Sequence, residues 1–334
     1  PAIITPGMRA LTMSLDRRNS LSINLLSPGD HVDVLISGEQ YDLPLAFEPE
    51  YRRKGLYFVF GKNGGINLPA TFKKIDSFRL RKEIKELPVE KYDVVISDFE
   101  PITSWACNLR KKRCIGLSNQ AATLHPKAPK PDVFDPAGKL ILGYYAPVSE
   151  AFGFHFKKLG PEIYTPIIRS AIRECKKETF PHYTVYLPSF SDEKIIKHLK
   201  KLDHVKWEVF SKHCKKPYRT GRISVRKVES EPFMESMSTS SGIITNAGFG
   251  TTSEALFLGK KLLVIPMKNQ YEQQCNAAML ASMGVTVIKN LKKKQQPVIS
   301  NWLDRNSIVK VDYKDQTASI VDAVLKAGIQ PVSL

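Results

Sequence analysis

Long apolar runs and a secretion signal are missing from this sequence, and each absence excludes a class of protein. The longest uncharged apolar stretches, such as residues 262–267 and 140–147, fall far short of the roughly 20 residues that a helix needs to cross a bilayer. No membrane-spanning helix is therefore expected. No basic N-terminal segment leads into an apolar run and a small-residue cleavage site, so nothing in these residues predicts secretion.

Paired cysteines are missing as well. The five cysteines are odd in number and far apart, and no two of them form a C-x-x-C pair. This spacing disfavours both a disulfide framework and a zinc site. The compartment that it predicts is a reducing cytoplasm, and no metal site is expected.

Acidic residues are in short supply, since 33 Asp and Glu stand against 50 Lys and Arg, for a formal net charge of +17. Such a balance favours an anionic partner, which can be nucleic acid, an anionic membrane face or a phosphorylated small molecule. Nucleic acid is the weakest of the three hypotheses. The sequence has no finger, RRM or KH signature, and its basic runs are not regularly interleaved with stacking aromatics.

The 334 residues suffice for two domains at roughly 100 to 200 residues each. Short β-branched runs repeatedly end at polar or glycine turns and lead into amphipathic stretches, a pattern typical of parallel α/β structure. We predict two α/β halves of Rossmann-like plan. The predicted boundaries are a first domain at residues 1–160, a connector at 161–182, a second domain at 183–310, and a C-terminal helix within 311–334 that packs back on the first domain.

The strongest local signal lies in residues 243–256, where a buried strand leads to a turn with two glycines and a helix begins at Thr251. Such a junction directs unpaired backbone N–H groups and the positive end of the helix dipole beyond the strand, which suits a phosphate. Thr251 or Thr252 can cap the helix or donate to the anion. Glu254 can accept two ribose hydroxyls or support the cap. An ordinary strand-turn-helix joint is the alternative, because two glycines are weaker than a full G-x-G-x-x-G.

A second unit of the same kind follows. Its strand ends at Pro266, and a polar loop brings the adjacent Glu272 and Gln273 to the start of another helix. An acid beside an amide offers acceptors and donors suited to the vicinal hydroxyls of a hexose. A Glu-Gln pair at a helix start is common and usually solvated. This pair is informative only because the neighbouring glycine turn opens on the same edge of the predicted sheet.

Residues 246–255, followed by Pro266 and by Glu272-Gln273-x-x-Asn276-Ala277, resemble the donor-nucleotide signature of the GT-B glycosyltransferases. They are most similar to the branch that contains MurG, the peptidoglycan N-acetylglucosaminyltransferase, and the UDP-glucuronosyl and plant glucosyl transferases. The resemblance implies two Rossmann-like domains that face each other across a cleft. It also implies a metal-independent, cofactor-free hexosyltransferase that moves a sugar from a nucleoside diphosphate, with UDP expected, to a hydroxyl with inversion.

The resemblance assigns donor-binding roles residue by residue. The glycines and threonines of the turn are expected to hold the diphosphate, Glu254 the ribose, and Glu272 and Gln273 the sugar. Many relatives carry a His where this chain has Asn246, so another cation, for which Lys268 is the candidate, must meet the diphosphate. The full donor site implied in this way is Ser189, Phe233, Asn246, Gly248, Gly250, Thr251, Thr252, Glu254, Lys268, Glu272 and Gln273.

The catalytic base is expected in the first domain. In this family the usual base is a His in a Gly-rich loop after the first strand, often partnered by an Asp after a later strand. Asp98, which follows a predicted strand at residues 92–97, matches that partner. Residues 4–11 resemble the helix start just after that loop. Either the first strand and its loop lie upstream of Pro1, or the protein has no such His.

If that His is absent, Asp98 itself, Glu100 and His125 are the candidates for the base. His155, which lies between Phe154 and Phe156, is expected to be a packed core or interface histidine instead.

Two further questions stay open at this point. Epimerases that act on UDP-N-acetylglucosamine share the architecture, so a nucleotide-sugar epimerase or binding protein is the alternative function, although the Glu-Gln-x-x-Asn-Ala loop fits transferases better. A lipid-linked cell-envelope acceptor would suit the basic surface, with residues 52–54 near an anionic inner membrane face. The charge can equally serve the donor alone. We expect a cytoplasmic protein, free or peripheral at that membrane, with no nucleic-acid partner.

Overall fold

The computed structural model describes residues 10–11, 32–33, 35–37, 51–53, 68–132, 135–176, 178–305 and 307–329. The first half contains, in chain order, β1 (Ala10–Leu11), β2 (Val32–Asp33), β3 (Leu35–Ser37), β4 (Tyr51–Arg53), α1 (Leu68–Lys74), α2 (Ser77–Glu86), β5 (Val94–Ser97), α3 (Pro101–Leu109), β6 (Ile115–Ser118), α4 (Asn119–Thr123), α5 (Pro136–Tyr144), β7 (Glu150–Phe154) and β8 (Ile163–Tyr164).

The second half continues with α6 (Ser170–Glu174), β9 (His182–Tyr186), α7 (Asp192–Leu199), β10 (Lys206–Ser211), β11 (Tyr218–Thr220), β12 (Ile223–Lys227), α8 (Ser230–Thr239), β13 (Gly242–Thr245), α9 (Phe249–Phe257), β14 (Lys261–Val264), α10 (Tyr271–Ser282), β15 (Thr286–Val287), α11 (Gln296–Asp304) and α12 (Thr317–Ile329). None of the helices in the described ranges is long and apolar enough to span a membrane.

Two sheets organise the chain. The first has the order β2-β1-β5-β6-β7-β8, and the second has the order β11-β12-β10-β9-β13-β14-β15. All the pairings in both are parallel except that of β11 with β12. In each sheet the strand order reverses direction once, between β1 and β5 in the first and between β9 and β13 in the second. Open parallel sheets bind ligands in the crevice at such a switch point, outside the carboxyl ends of the strands.

Acid-proline pairs start two helices of the first domain. Glu100 precedes Pro101, and its carboxylate accepts from the N–H groups of Ile102 and Thr103, both at 2.7 Å. Asp135 precedes Pro136 in the same way and accepts from the Gly138 N–H at 2.7 Å. The carboxylates satisfy amides that the helix leaves unpaired, and proline at the first position has no N–H to lose.

The two domains share one hydrophobic cluster, which runs from β6 and β7 into the second domain and on to α12. Phe156 forms part of this junction, because its ring centroid lies 5.1 Å from that of Phe249 at the start of α9. Helix α12 lies against β5 and β6 of the first sheet. A Cβ at Gly328 would lie 2.5 Å from Cγ1 of Val94, so glycine is what lets the C-terminal helix approach that strand.

Two details differ from the sequence-based expectation. Ala10–Leu11 form a strand, not a helix start, because Ala10 pairs with Val94 and Leu11 with Val95. The place beside β5 is thereby filled by residues of this chain, while residues 4–9 lie outside the described residues. Strand β8 falls within the predicted connector at residues 161–182 yet pairs with β7, so the first domain extends beyond residue 160.

Candidate functional site

At the switch point of the second sheet, the loops after β9 and β13 are tied together by side chains. The Ser189 hydroxyl donates to Oδ1 of Asn246 at 3.0 Å, and Nδ2 of Asn246 donates to the Ile265 carbonyl at 2.7 Å. Both side chains are buried. Asn246 therefore braces three loop segments with its amide, which is a reason for an uncharged residue at this position.

The glycine turn leads directly into α9, which begins at Phe249, two residues earlier than the sequence indicates. Among the described residues, no side chain caps this helix start. A Cβ at Gly248 would have only Nε2 of Gln273 near it, at 3.8 Å. The start of α9 therefore has room beside Gly248 and no side-chain cap, and the positive end of the helix dipole lies there.

The two threonines of the turn differ in their surroundings. The Thr252 hydroxyl donates to the Gly248 carbonyl at 2.6 Å and lies 3.0 Å from the Phe249 carbonyl, so it is buried and turned into its own helix. The hydroxyl thus contacts backbone carbonyls of its own helix, and the diphosphate contact expected of Thr252 stays a prediction. Thr251 is half-buried and, like Gly250, contributes to the first turn.

Glu254 forms a bidentate ion pair with Arg169, which precedes α6 between the domains. Nε of Arg169 donates to Oε1 at 2.6 Å, and Nη2 donates to Oε2 at 2.9 Å. This hydrogen-bonded pair raises the pKa of Arg169, against the lowering effect of its burial. A carboxylate oxygen has two lone-pair sites, so each oxygen of Glu254 keeps one acceptor position beside the guanidinium.

The Glu272–Gln273 pair lies in the first turn of α10, and both residues are held by other segments. Asn119 and Gln120 of the first domain donate to the Glu272 carboxylate at 2.9 and 3.3 Å. Oε1 of Gln273 accepts from the Met267 N–H at 3.0 Å. Asn276 donates to the Ala247 carbonyl at 3.1 Å, which ties α10 to the glycine turn. The structure thus brings the two predicted binding segments together.

Two other predicted donor residues lie at the margins of this edge. Lys268 is exposed in the turn after β14, next to Asn269, whose backbone has a φ of 57°. Phe233, in the first turn of α8, packs against Tyr186 and Phe210 with ring centroids 5.2 and 5.1 Å away. Both partners are near the carboxyl ends of their strands, so an aromatic group borders the switch point.

In the first domain, Asp98 follows β5 at that sheet's switch point and is 7% exposed. The next residue, Phe99, has a φ of 53°, a left-handed conformation that is strained for a bulky residue and that clusters at functional sites in proteins. Glu100 is completely buried and uses both oxygens to cap α3. This cap corrects its assignment as a candidate base.

His125 lies just past α4 and is half-buried. Its Nδ1 accepts from the Lys127 N–H at 3.2 Å, so that nitrogen already has a partner, and an imidazole that accepts at Nδ1 carries its hydrogen on Nε2. His155 is packed as expected: it is 1% exposed, and its ring centroid lies 5.4 Å from that of Phe156. Neither ring nitrogen of His155 has a hydrogen-bond partner among the described residues.

His155→Gln should reduce the loss of folding stability that the wild-type chain shows as the pH falls below 6.5. Burial lowers the pKa of His155 from an ordinary 6.5 to about 4. Between pH 6.5 and pH 4, His155 is therefore protonated in the unfolded chain and neutral in the folded chain. Stability is unaffected above pH 6.5 and falls below it, by about 2 kcal/mol at pH 5 and up to about 3 kcal/mol at lower pH.

Urea unfolding at pH 7 and pH 5 measures this difference. The exposed His204 provides the matched control as His204→Gln, which should keep the wild-type pH dependence. If His155→Gln and the wild-type chain lose stability in parallel between the two pH values, burial of this ring is not the cause.

Sequence reasoning missed three residues of the site. Asn119 and Gln120 come directly after β6, so their position could have been inferred from the same polar-residue-after-a-strand pattern that identified Asp98. Arg169 carries no local signal, because its contact with Glu254 joins positions that are 85 residues apart.

Comparisons with known proteins agree with this architecture. The sequence model described as Glycosyl transferase family 1 matches residues 63–306. No curated protein matches the chain. Similar solved structures include a glycotransferase of kitacinnamycin (13% identity, TM-score 0.57), UGT2 of Phytolacca americana complexed with UDP-2fluoro-glucose and pterostilbene (12%, 0.54) and MurG of Acinetobacter baumannii (14%, 0.53), each aligned over 96% of this chain and 94% of its own. At such identities the likeness shows the fold alone, and the predicted GT-B architecture is confirmed.

Proposed function

Because the chain belongs to glycosyl transferase family 1, we propose that it moves a hexose from a uridine diphosphate sugar to a hydroxyl group. One observation carries this proposal. The uncapped first turn of α9, the Glu254 carboxylate and the Glu272–Gln273 pair lie along one edge of the second sheet, joined by the bond from Asn276 to Ala247. Together they offer donors for a diphosphate and acceptors for ribose and hexose hydroxyls. The UDP-2fluoro-glucose bound to UGT2 supports uridine as the nucleoside.

The diphosphate is held by backbone amides in this proposal. Negative charge is stabilised at a helix N-terminus by the unpaired N–H groups and the dipole, and here Thr251 adds a hydroxyl and Lys268 a cation. Asn246 acts indirectly, by fixing the loop after β13 against Ser189. As the bond from the sugar C1 to phosphate breaks, the same donors meet the charge that develops on the leaving group. No metal ion is needed for this step.

The ribose and hexose are held by carboxylates and an amide. Glu254 accepts from the ribose hydroxyls with the acceptor positions that Arg169 leaves on each oxygen. Glu272 and Gln273 bind the hexose, and the 3.8 Å approach of Nε2 of Gln273 to a Cβ at Gly248 supports a sugar lying next to the diphosphate turn. Phe233 borders the base pocket together with Tyr186.

Transfer proceeds with inversion in this proposal. The acceptor oxygen attacks C1 from the face opposite the diphosphate, the bond to phosphate breaks, and a base in the first domain takes the hydroxyl proton. Asp98 is the candidate, because it lies at the switch point of the first sheet and Phe99 holds the turn in a strained conformation. We further propose that the acceptor hydroxyl belongs to a lipid-linked molecule at an anionic membrane face, which suits the net charge of +17.

A thermal-shift screen tests the donor class. We expect UDP and UDP-sugars at about 100 times their Kd to stabilise the chain by about 2.7 kcal/mol, which raises the Tm by roughly 5 °C. Uridine, which lacks the diphosphate, is the matched control and should shift the Tm far less. Product analysis then separates activities: free or transferred sugar indicates a transferase, whereas an isomerised UDP-sugar indicates an epimerase. The absence of a shift with every nucleotide sugar would contradict the proposal.

A further inference from the structure

The Glu272 carboxylate is held across the domain boundary by two amides. Asn119 Nδ2 donates to Oε1 at 2.9 Å, and Gln120 Nε2 donates to Oε2 at 3.3 Å. The two amides follow β6 directly, at the carboxyl edge of the first sheet, while Glu272 lies in the first turn of α10 of the second domain. Both amide residues are buried. The contact is therefore a built feature of the domain junction, and it involves the carboxylate proposed to bind the hexose.

The carboxylate fixes which way each amide is turned. An ionised carboxylate only accepts hydrogen bonds, so Asn119 and Gln120 must present their NH₂ groups to it. Oε1 of Gln120 is then the other arm of the planar amide, directed away from Glu272. That oxygen is buried and has no hydrogen-bond partner among the described residues, and the residue as a whole is only 8% exposed. Buried acceptors in folded proteins are nearly always satisfied, and this one belongs to an amide that contacts the carboxylate proposed to bind the hexose. Its position beside that carboxylate, together with the missing partner, indicates a donor that arrives with a ligand.

We propose that Gln120 determines specificity for the transferred sugar, by accepting a hydrogen bond from one of its hydroxyls at Oε1. Its Nε2 and the Asn119 amide position Glu272 for the same sugar. This inference rests on the proposed function, which puts the hexose beside Glu272 and Gln273. Because the contacts come from opposite domains, the intact donor engages both, whereas the UDP product has no sugar to engage Gln120.

Gln120→Leu tests this role through two ligands measured side by side. In titration calorimetry, we expect the affinity for UDP to stay within about twofold of wild type, while the affinity for UDP-glucose or UDP-N-acetylglucosamine falls about five- to tenfold. Gln120→Met, which is closer in shape, replaces the leucine variant if that variant unfolds, and circular dichroism checks the fold of each.

Gln296 provides a matched control. Its Nε2 is likewise hydrogen-bonded, here to the backbone carbonyl of His198 at 3.1 Å, and its Oε1 is also buried without a partner among the described residues, but it lies on α11, away from the domain junction. Gln296→Leu should leave the affinities for UDP and for the UDP-sugars unchanged. An equal loss in Gln296→Leu and Gln120→Leu would show a general effect of removing a buried amide and overturn the assignment.

Deoxy donors identify the hydroxyl. Wild type should bind one UDP-deoxyglucose isomer about five- to tenfold more weakly than UDP-glucose, and Gln120→Leu should show no further loss with that isomer, since the contact is already gone. Equal losses for UDP and UDP-glucose in Gln120→Leu, or additive losses with every deoxy isomer, would overturn the inference. Failure of the wild-type chain to bind any UDP-sugar would instead refute the proposed function on which it rests.

Discussion

Glu254→Ala should lower the affinity for UDP at least tenfold. A hydrogen bond to a charged acceptor is worth roughly 1.5 to 3 kcal/mol, and tenfold in Kd corresponds to about 1.4 kcal/mol, so the loss of one ribose hydroxyl contact already suffices. Titration calorimetry with UDP measures the effect directly. The nucleotide alone is the appropriate ligand, because Glu254 is proposed to contact the ribose and not the hexose.

Arg169 determines how the carboxylate is presented. Its fork contacts both oxygens at 2.6 and 2.9 Å, and bidentate pairs of this kind fix geometry as well as adding energy. Arg169→Met keeps the Glu254 carboxylate but removes the two hydrogen bonds that orient it. We therefore expect Arg169→Met to lose less UDP affinity than Glu254→Ala. Both variants should also lower the free energy of unfolding, since each leaves one partly buried charge without its partner.

Glu208 is the control for a buried, paired glutamate of the same domain. It lies on β10, with carboxylate oxygens 3.7 Å from Arg226 and 4.0 Å from His182. Glu208→Ala should reduce stability and leave UDP affinity unchanged. If Glu254→Ala is folded and binds UDP as tightly as wild type, the ribose assignment is wrong.

The donor edge was largely predictable because its determinants are local. Strand β13 is buried along its whole length and ends at a glycine turn, and the first turn of α10 contains Glu272 and Gln273 as expected. What sequence could not give is how those residues are paired. Phe249, where α9 starts, packs against Phe156 of the first domain, and the Thr252 hydroxyl donates to the Gly248 carbonyl one turn earlier.

The first domain was harder to predict because the roles of its residues depend on partners that are distant in the sequence and on helix caps. Ala10–Leu11 have no strand pattern of their own and become a strand by pairing with β5, which lies more than eighty residues later in the chain. Glu100 looked like an acid beside a catalytic aspartate, yet its position before Pro101 makes it a helix cap. A long-range strand pairing therefore determined the structure of Ala10–Leu11, and a helix cap determined the role of Glu100.

Asp98→Asn should lower sugar transfer by about 100- to 10,000-fold without changing UDP affinity. The loss of a general base has this magnitude, and the same direction holds whether Asp98 takes the proton itself or orients a histidine that does. Asparagine keeps the shape of the side chain, so the turn held by Phe99 with its φ of 53° should survive. Release of UDP from a UDP-sugar measures the rate, and titration calorimetry with UDP checks that the donor site is intact.

Glu100→Gln and His125→Gln complete this test. Glu100 caps α3 through two bonds of 2.7 Å, so its variant should lose about 1 kcal/mol of stability while the folded fraction keeps its turnover. His125→Gln should keep its turnover as well, because Nδ1 of His125 already accepts the Lys127 N–H and Nε2 carries the hydrogen. Unchanged turnover in Asp98→Asn together with lost turnover in a folded His125→Gln would assign the proton transfer to His125 instead.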